Sequence, residues 1–201
     1  AIADKAFPQS HSNYQSGIHA FLKTPVFNAN GVDYKALDTE PTITQKYGNV
    51  QGVKIYPTFS SRGYLVMAIS LTSYDSGKKH EKIYYVNYNR RGQSVLSFNS
   101  IFASNSEDAL LTLVNNKIES LADDEGMPLH KATRLSANVY ARKRGIFFVY
   151  QAGEIADESE GMIEIFLSFK ALQKHLTSSF QALVSENGDY QEYKPITFKQ
   201  G

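Results

Sequence analysis

The sequence predicts an α+β domain: an antiparallel-rich β-sheet with two amphipathic helices packed on it. Three observations carry this expectation. Over residues 64–71, Leu65, Met67, Ile69 and Leu71 alternate with Tyr64, Val66, Ala68 and Ser70, the period-two repeat of a strand with one fully apolar face. Two later stretches switch to helical spacing: Leu110, Val114, Ile118 and Leu121, then Phe169, Leu172, Leu176, Phe180 and Leu183. The strand-like segments also fall into two groups, each followed by one of these helices, which is the order of an α+β chain.

Taken in order, residues 1–23 are irregular, with Pro8, Ser10, Ser12, Asn13 and Gly17 scattered through them. Thr24 to Asn28 reads as a short strand closed by the turn signal Asn30-Gly31. Between Val32 and Gln45 the pattern is weak, and Pro41 excludes a long helix. Val53, Ile55 and Phe59 suggest a strand ending near Pro57, followed by a turn at Ser61-Arg62-Gly63. A polar loop from Asp75 to His80 joins the period-two strand to a second one, Lys82 to Asn89, whose Tyr84, Tyr85, Val86 and Tyr88 favour β-structure. With a turn at 89–92, these two strands form a long hairpin. The first helix is expected to start at Ser104, which has capping-box spacing to Glu107. It should end near Asp123, where Asp123, Asp124 and Glu125 oppose the helix dipole and act as terminators. Strands are then expected at 134–141, at 145–151 around the apolar run 146–150, and at 162–167. Ser168 caps the second helix, and Asn187-Gly188 ends it. Residues 1–59 are read as an N-terminal segment, a small companion subdomain, and residues 60–201 as the α+β domain.

Composition narrows the function classes. The chain has 201 residues, of which 42% are hydrophobic and 20% charged, enough to bury a core without staples. It has no cysteine, which removes disulfides, thiol catalysis and cysteine-based zinc sites. The formal net charge of +1 argues against a nucleic-acid partner, which calls for a concentrated basic excess. The longest basic stretch, Arg142 to Arg144, reads as a solvated strand end. No run approaches the roughly 18 apolar residues of a membrane span. The start Ala-Ile-Ala-Asp-Lys suits a mature product after signal cleavage, so a periplasmic or extracellular location is expected.

A search for chemistry finds no catalytic signature, so no catalytic residue, metal ligand or cofactor is assigned. There is no Gly-x-Ser-x-Gly elbow, and Gly77-Lys78 lacks the rest of a phosphate loop. The histidines His11, His19, His80, His130 and His175 never pair at the spacing that would put two ligands on one helix face. Glu154, Asp157, Glu158 and Glu160 do crowd between two strands. Paired carboxylates could act as acid and base on a glycan, but their spacing fits no calcium loop.

The order of small motifs in the second half resembles domain-of-unknown-function family 3298 (DUF3298). Tyr85-Val86-Asn87-Tyr88-Asn89 comes first, then Gly92, then Ser97-Phe98-Asn99-Ser100-Ile101-Phe102. After a helix follow Phe148-Val149-Tyr150-Gln151-Ala152-Gly153-Glu154-Ile155-Ala156 and Gly161. The likeness covers roughly residues 60 to 185. Ala152-Gly153 stand where the family has proline and tyrosine, and Asp157-Glu158 where it has a second such pair. The resemblance implies an exported envelope domain, similar to the extracellular sensor of lysozyme-responsive anti-sigma factors or to modules accompanying peptidoglycan deacetylases.

The expected function is therefore a non-catalytic binding module of the bacterial cell envelope, facing a lysozyme-like protein or a cell-wall glycan. Two loops are its expected binding edges, because function concentrates on loops carried by a rigid sheet. The basic edge holds Tyr74, Lys78, Lys79 and His80; the acidic edge holds Tyr150, Gly153, Glu154, Asp157 and Glu158. A peptidoglycan-acting hydrolase or deacetylase accessory using residues 154–160 is one alternative reading. A structural domain of an envelope assembly is another.

Overall fold

The computed structural model describes residues 50–192. The expected strand at 24–28, the turn at Asn30-Gly31 and the companion segment up to residue 49 lie outside the described residues. Three long strands form an antiparallel meander: β1 (Val50–Ser61), β2 (Tyr64–Asp75) and β3 (Lys78–Asn89). Two short strands flank it, β4 (Ser94–Leu96) beside β3 and β8 (Tyr190–Glu192) beside β1, giving the order β4-β3-β2-β1-β8. A separate antiparallel sheet holds β5 (Val139–Ala141), β6 (Gly145–Tyr150) and β7 (Ile163–Ser168) in that order. The helices are α1 (Phe98–Ile101), α2 (Glu107–Glu125), α3 (Phe169–Leu172) and α4 (Ser178–Val184). The fold class is α+β as expected, with two sheets where the sequence suggested one.

Turn chemistry explains the long hairpin. Ser76 and Gly77 both have positive φ, 51° and 78°, the requirement of a two-residue turn whose twist matches its strands. The expected loop 75–80 is therefore a tight turn, with Asp75 opposite Lys78 and Lys79 opposite Tyr74. Lys78, Lys79 and His80 belong to β3 itself. β1 does not stop at Pro57; its register slips between Pro57 and Phe59. A bulge accommodates a proline that cannot donate to the ladder. The expected division at residue 59/60 falls inside this strand.

β2 is buried on both faces from Val66 to Leu71, not on the single face its alternation suggests. It is the middle strand of its sheet, and Phe180 of α4 sets its ring edge-on to Tyr64 at 5.6 Å. One hydrophobic core spans both sheets and the helices, from Tyr56 and Phe59 through Phe102, Leu110 and Phe148 to Phe180.

The helix ends differ from expectation. α2 starts after Ser106, not Ser104, and the Ser106 side chain makes no capping bond. Asn105, with φ of 62°, turns the chain just before it. Its stop is Gly126 in the left-handed conformation, φ 66°, with Met127 N–H returning to the Leu121 carbonyl at 3.2 Å. Asp123, Asp124 and Glu125 all lie inside the last turn and do not end it. Ser168 caps its helix as expected, accepting from Ala171 N–H at 3.1 Å, but that helix is broken in two. Leu176 is extended and bridges to Phe102. Thr177 then caps α4 by accepting from Phe180 N–H at 3.2 Å. The apolar stripe survives the break, with Leu172, Leu176, Phe180 and Leu183 all buried.

Candidate functional site

Side chains join the two sheets where backbone ladders end. Tyr64 donates its hydroxyl to Asn87 Oδ1 and accepts from Ala141 N–H at 2.9 Å. Asn87 in turn donates to the Val139 carbonyl at 2.8 Å. Asn138 accepts from Tyr85 N–H at 2.9 Å and donates to the Ile83 carbonyl at 2.7 Å. Gln151 accepts from Ile83 N–H at 3.3 Å and donates to the same carbonyl at 2.8 Å. These amides explain why the strand expected over 134–141 shrinks to Val139–Ala141. Asn138 spends its carboxamide on β3, and Ser136 bonds the Val149 carbonyl through its hydroxyl.

Beyond Ile83 the start of β3 and the β6–β7 connection separate, leaving a cleft of about 330 Å³. Lys78 through Ile83 form one wall; Gln151, Ala152, Glu158, Gly161 and Met162 form the other. The two loops expected to act as separate binding edges are thus opposite walls of one cleft. His80 Nδ1 lies 2.8 Å from Glu158 Oε1 and ties the walls together. Lys78, Lys79 and Lys82 are exposed around this pair.

The remaining expected residues divide. Tyr74 is half-buried on β2, and Gly153 adopts φ of 86° in an exposed turn. Asp157 is exposed next to Glu158. Glu154 pairs instead with Arg134 at 2.9 Å. Tyr150 is a correction: it is 1% exposed and cannot present its ring to a partner. Its hydroxyl accepts from Ser136 N–H and donates to the Arg134 carbonyl, and burial pushes its pKa up. It sits on a strand whose apolar run belongs in the core, so its phenol is a structural anchor.

Sequence reasoning missed a tyrosine cluster at the sheet junction. Glu164 accepts from Tyr140 at 2.9 Å and Tyr85 at 3.4 Å, and the two tyrosine rings stack with centroids 4.1 Å apart. Burial, with Glu81 and Glu164 nearby, pushes Tyr56 up to about 12. Tyr85 and Tyr140 are raised further, chiefly by burial. Arg142 is no solvated strand end: it lies 5.8 Å from the Tyr140 ring centroid and pairs with Glu192 at 3.2 Å. No spacing in the sequence links residues 56, 85, 140 and 164. Among the described residues, no group of three histidines and carboxylates is placed to hold a metal ion, and no helix is long and apolar enough to cross a membrane.

These features define a class: a two-sheet antiparallel α+β domain with a charged cleft beside a strand edge. Its fold is that of DUF3298. A crystal structure of a DUF3298 member from Bacteroides fragilis superposes with a TM-score of 0.54 at 18% identity, covering 90% of this chain and 73% of that one. A DUF3298 protein from Pseudomonas aeruginosa gives 0.49 at 18% identity, covering 73% and 68% of the two chains. No protein-family model and no curated protein matches the sequence.

Proposed function

We propose that this chain is a DUF3298-type binding module of the bacterial cell envelope, acting outside the cytoplasm, whose cleft between β3 and residues 151–162 engages a protein. The observation that carries this reading is the state of the acidic loop. Glu158 is held by His80 across the cleft and Glu154 by Arg134, so the two carboxylates have separate basic partners and are not paired with each other as an acid and a base. Lys78, Lys79 and Lys82 on one side, and Asp157 and Glu160 on the other, leave a rim of both signs. Such a rim suits steering and orientation of a charged partner. A companion segment that ends before β1 (Val50–Ser61), short of the expected residue 59, is part of the same proposal.

Calorimetric titration with a chicken-type lysozyme, and separately with soluble peptidoglycan fragments, tests the reading. Binding that weakens with salt and falls at least roughly tenfold in an Asp157→Lys, Glu160→Lys variant supports a protein-binding cleft. Turnover of either probe, lost in Glu154→Gln, would replace it with the enzymatic alternative. Heat with glycan fragments alone would move the partner class from protein to glycan.

A further inference from the structure

The edge of β3 is closed along most of its length, and the manner of closure shows where it is open. In an antiparallel strand, successive residues turn their N–H and C=O groups alternately toward one neighbour and the other. The β2–β3 register runs without a slip from Tyr64 opposite Asn89 to Asp75 opposite Lys78. Ile83 and Tyr85 use their outward groups on Gln151 and Asn138. By the same alternation, Glu81 and Lys79 must turn their backbone groups outward as well. Nearer the end of the strand, β4 covers Asn87 to Asn89. Among the described residues, no strand and no side-chain amide meets the outward groups of Glu81 and Lys79, and both residues line the cleft.

We propose that an extended acidic peptide segment of the partner adds as an antiparallel strand to β3 at Lys79 and Glu81; this rests on the protein-binding reading above and names how the partner is held. Strand addition to an open edge draws affinity from main-chain hydrogen bonds and specificity from alternate side chains. Here Lys78 and Lys82 lie on one face of β3, flanking the His80–Glu158 pair. Carboxylates four residues apart on the guest strand would face these two lysines. The guest residue between them meets the braced His80–Glu158 pair and must be small and uncharged. A flexible segment fits better than a second copy of this chain. Paired edge to edge about His80, a second copy would set each Lys78 opposite its counterpart's Lys82, and like charges directly opposite are destabilising.

The probe is an acetylated, amidated peptide of seven residues with aspartate at its second and sixth positions and threonine elsewhere. Two N-methylated forms accompany it. One blocks the amides of the third and fifth residues, which face β3 in this register; the other blocks the second and fourth, which face away. Fluorescence anisotropy at low salt is expected to show binding of the parent and of the outward-blocked form. The inward-blocked form should bind at least about tenfold more weakly, having lost two main-chain bonds. Lys78→Glu, Lys82→Glu should weaken the parent by a similar factor. Amide exchange on the saturated complex should slow at Lys79 and Glu81. Equal affinity of the two methylated forms would mean charge contact alone and would overturn strand addition, as would no binding of the parent. Lysozyme binding that depends on Asp157 and Glu160, without peptide binding, would overturn this inference alone. Loss of both would overturn the protein-binding reading with it.

Discussion

The Gln151 carboxamide meets both backbone groups of Ile83, donating to the carbonyl at 2.8 Å and accepting the N–H at 3.3 Å. A primary amide carries the donor and acceptor of a peptide group, so this side chain stands in for one residue of a neighbouring strand. Asn138 does the same across Ile83 and Tyr85. Asn115 of α2 repeats the pairing with Ala132, at 2.8 and 3.0 Å. The protein seals exposed backbone with amides and so joins two sheets without a continuous ladder.

Asn115→Ala should therefore cost more than its surface position on a helix suggests. It strips the partner from the N–H of Ala132, which is only 3% exposed. A buried unpaired donor costs about 1–3 kcal/mol, to be read from urea denaturation. Asn115→Asp keeps the acceptor for that N–H and should recover part of the loss.

Tyr64→Phe removes a hydroxyl that serves Asn87 and Ala141 together, deep between the sheets. The expected loss is again about 1–3 kcal/mol, without a change in the denaturant slope, because the ring and its contact with Phe180 remain. An unchanged midpoint would show that the hydroxyl network contributes nothing net.

Gly145→Ala should be among the most damaging small substitutions. An added Cβ would sit 2.3 Å from the Leu167 carbonyl oxygen and 2.6 Å from the Phe166 ring. The ring could rotate, but the carbonyl belongs to the paired strand β7 and cannot. Forcing the strands apart is expected to cost roughly 1–3 kcal/mol or more, seen as a lowered thermal midpoint. Gly126→Ala, where nothing lies within 4 Å, should act only through its left-handed backbone, at about 1 kcal/mol.

Stability should fall steeply in alkali. Tyr56 is held to about 12, and Tyr64, Tyr85 and Tyr140 higher still, against an ordinary tyrosine value of 10.0. Each folded pKa is raised, so above pH 10 the unfolded chain releases a proton that the folded one keeps. The stabilisation is complete below pH 10.0 and is lost as pH rises through 12, at up to about 1.4 kcal/mol per pH unit for each tyrosine. Tyrosinate absorbance should rise together with loss of far-UV dichroism; tyrosinate forming fully before unfolding would contradict the burial.

Much of the fold was legible because its signals are local. The Ser168 cap, the hairpin of β2 and β3, and the buried stripe Leu172, Leu176, Phe180 and Leu183 all follow from neighbours within a turn or a strand. The break at Leu176 was not legible. Its cause is a bridge to Phe102, more than seventy residues away, which outweighs helix continuation. Glu154 and Glu158 could be picked out as charged loop residues, but their partners Arg134 and His80 come from other elements. Tyr150 looked like a site residue because its motif sits beside the acidic loop; strand alternation turned it inward.

The sequence by itself determined the α+β class, the hairpin of β2 and β3, the two amphipathic stripes, and the two charged segments at 75–80 and 153–160. Periodicity and turn chemistry are properties of adjacent residues, and they survive in any packing. Only the tertiary structure decided that the strands divide into two sheets, that the charged segments face each other across one cleft, and that β3 stays open at Lys79 and Glu81. Those outcomes depend on which distant amides reach which backbone groups. The energy of such a contact exists only once the chain has brought both ends together.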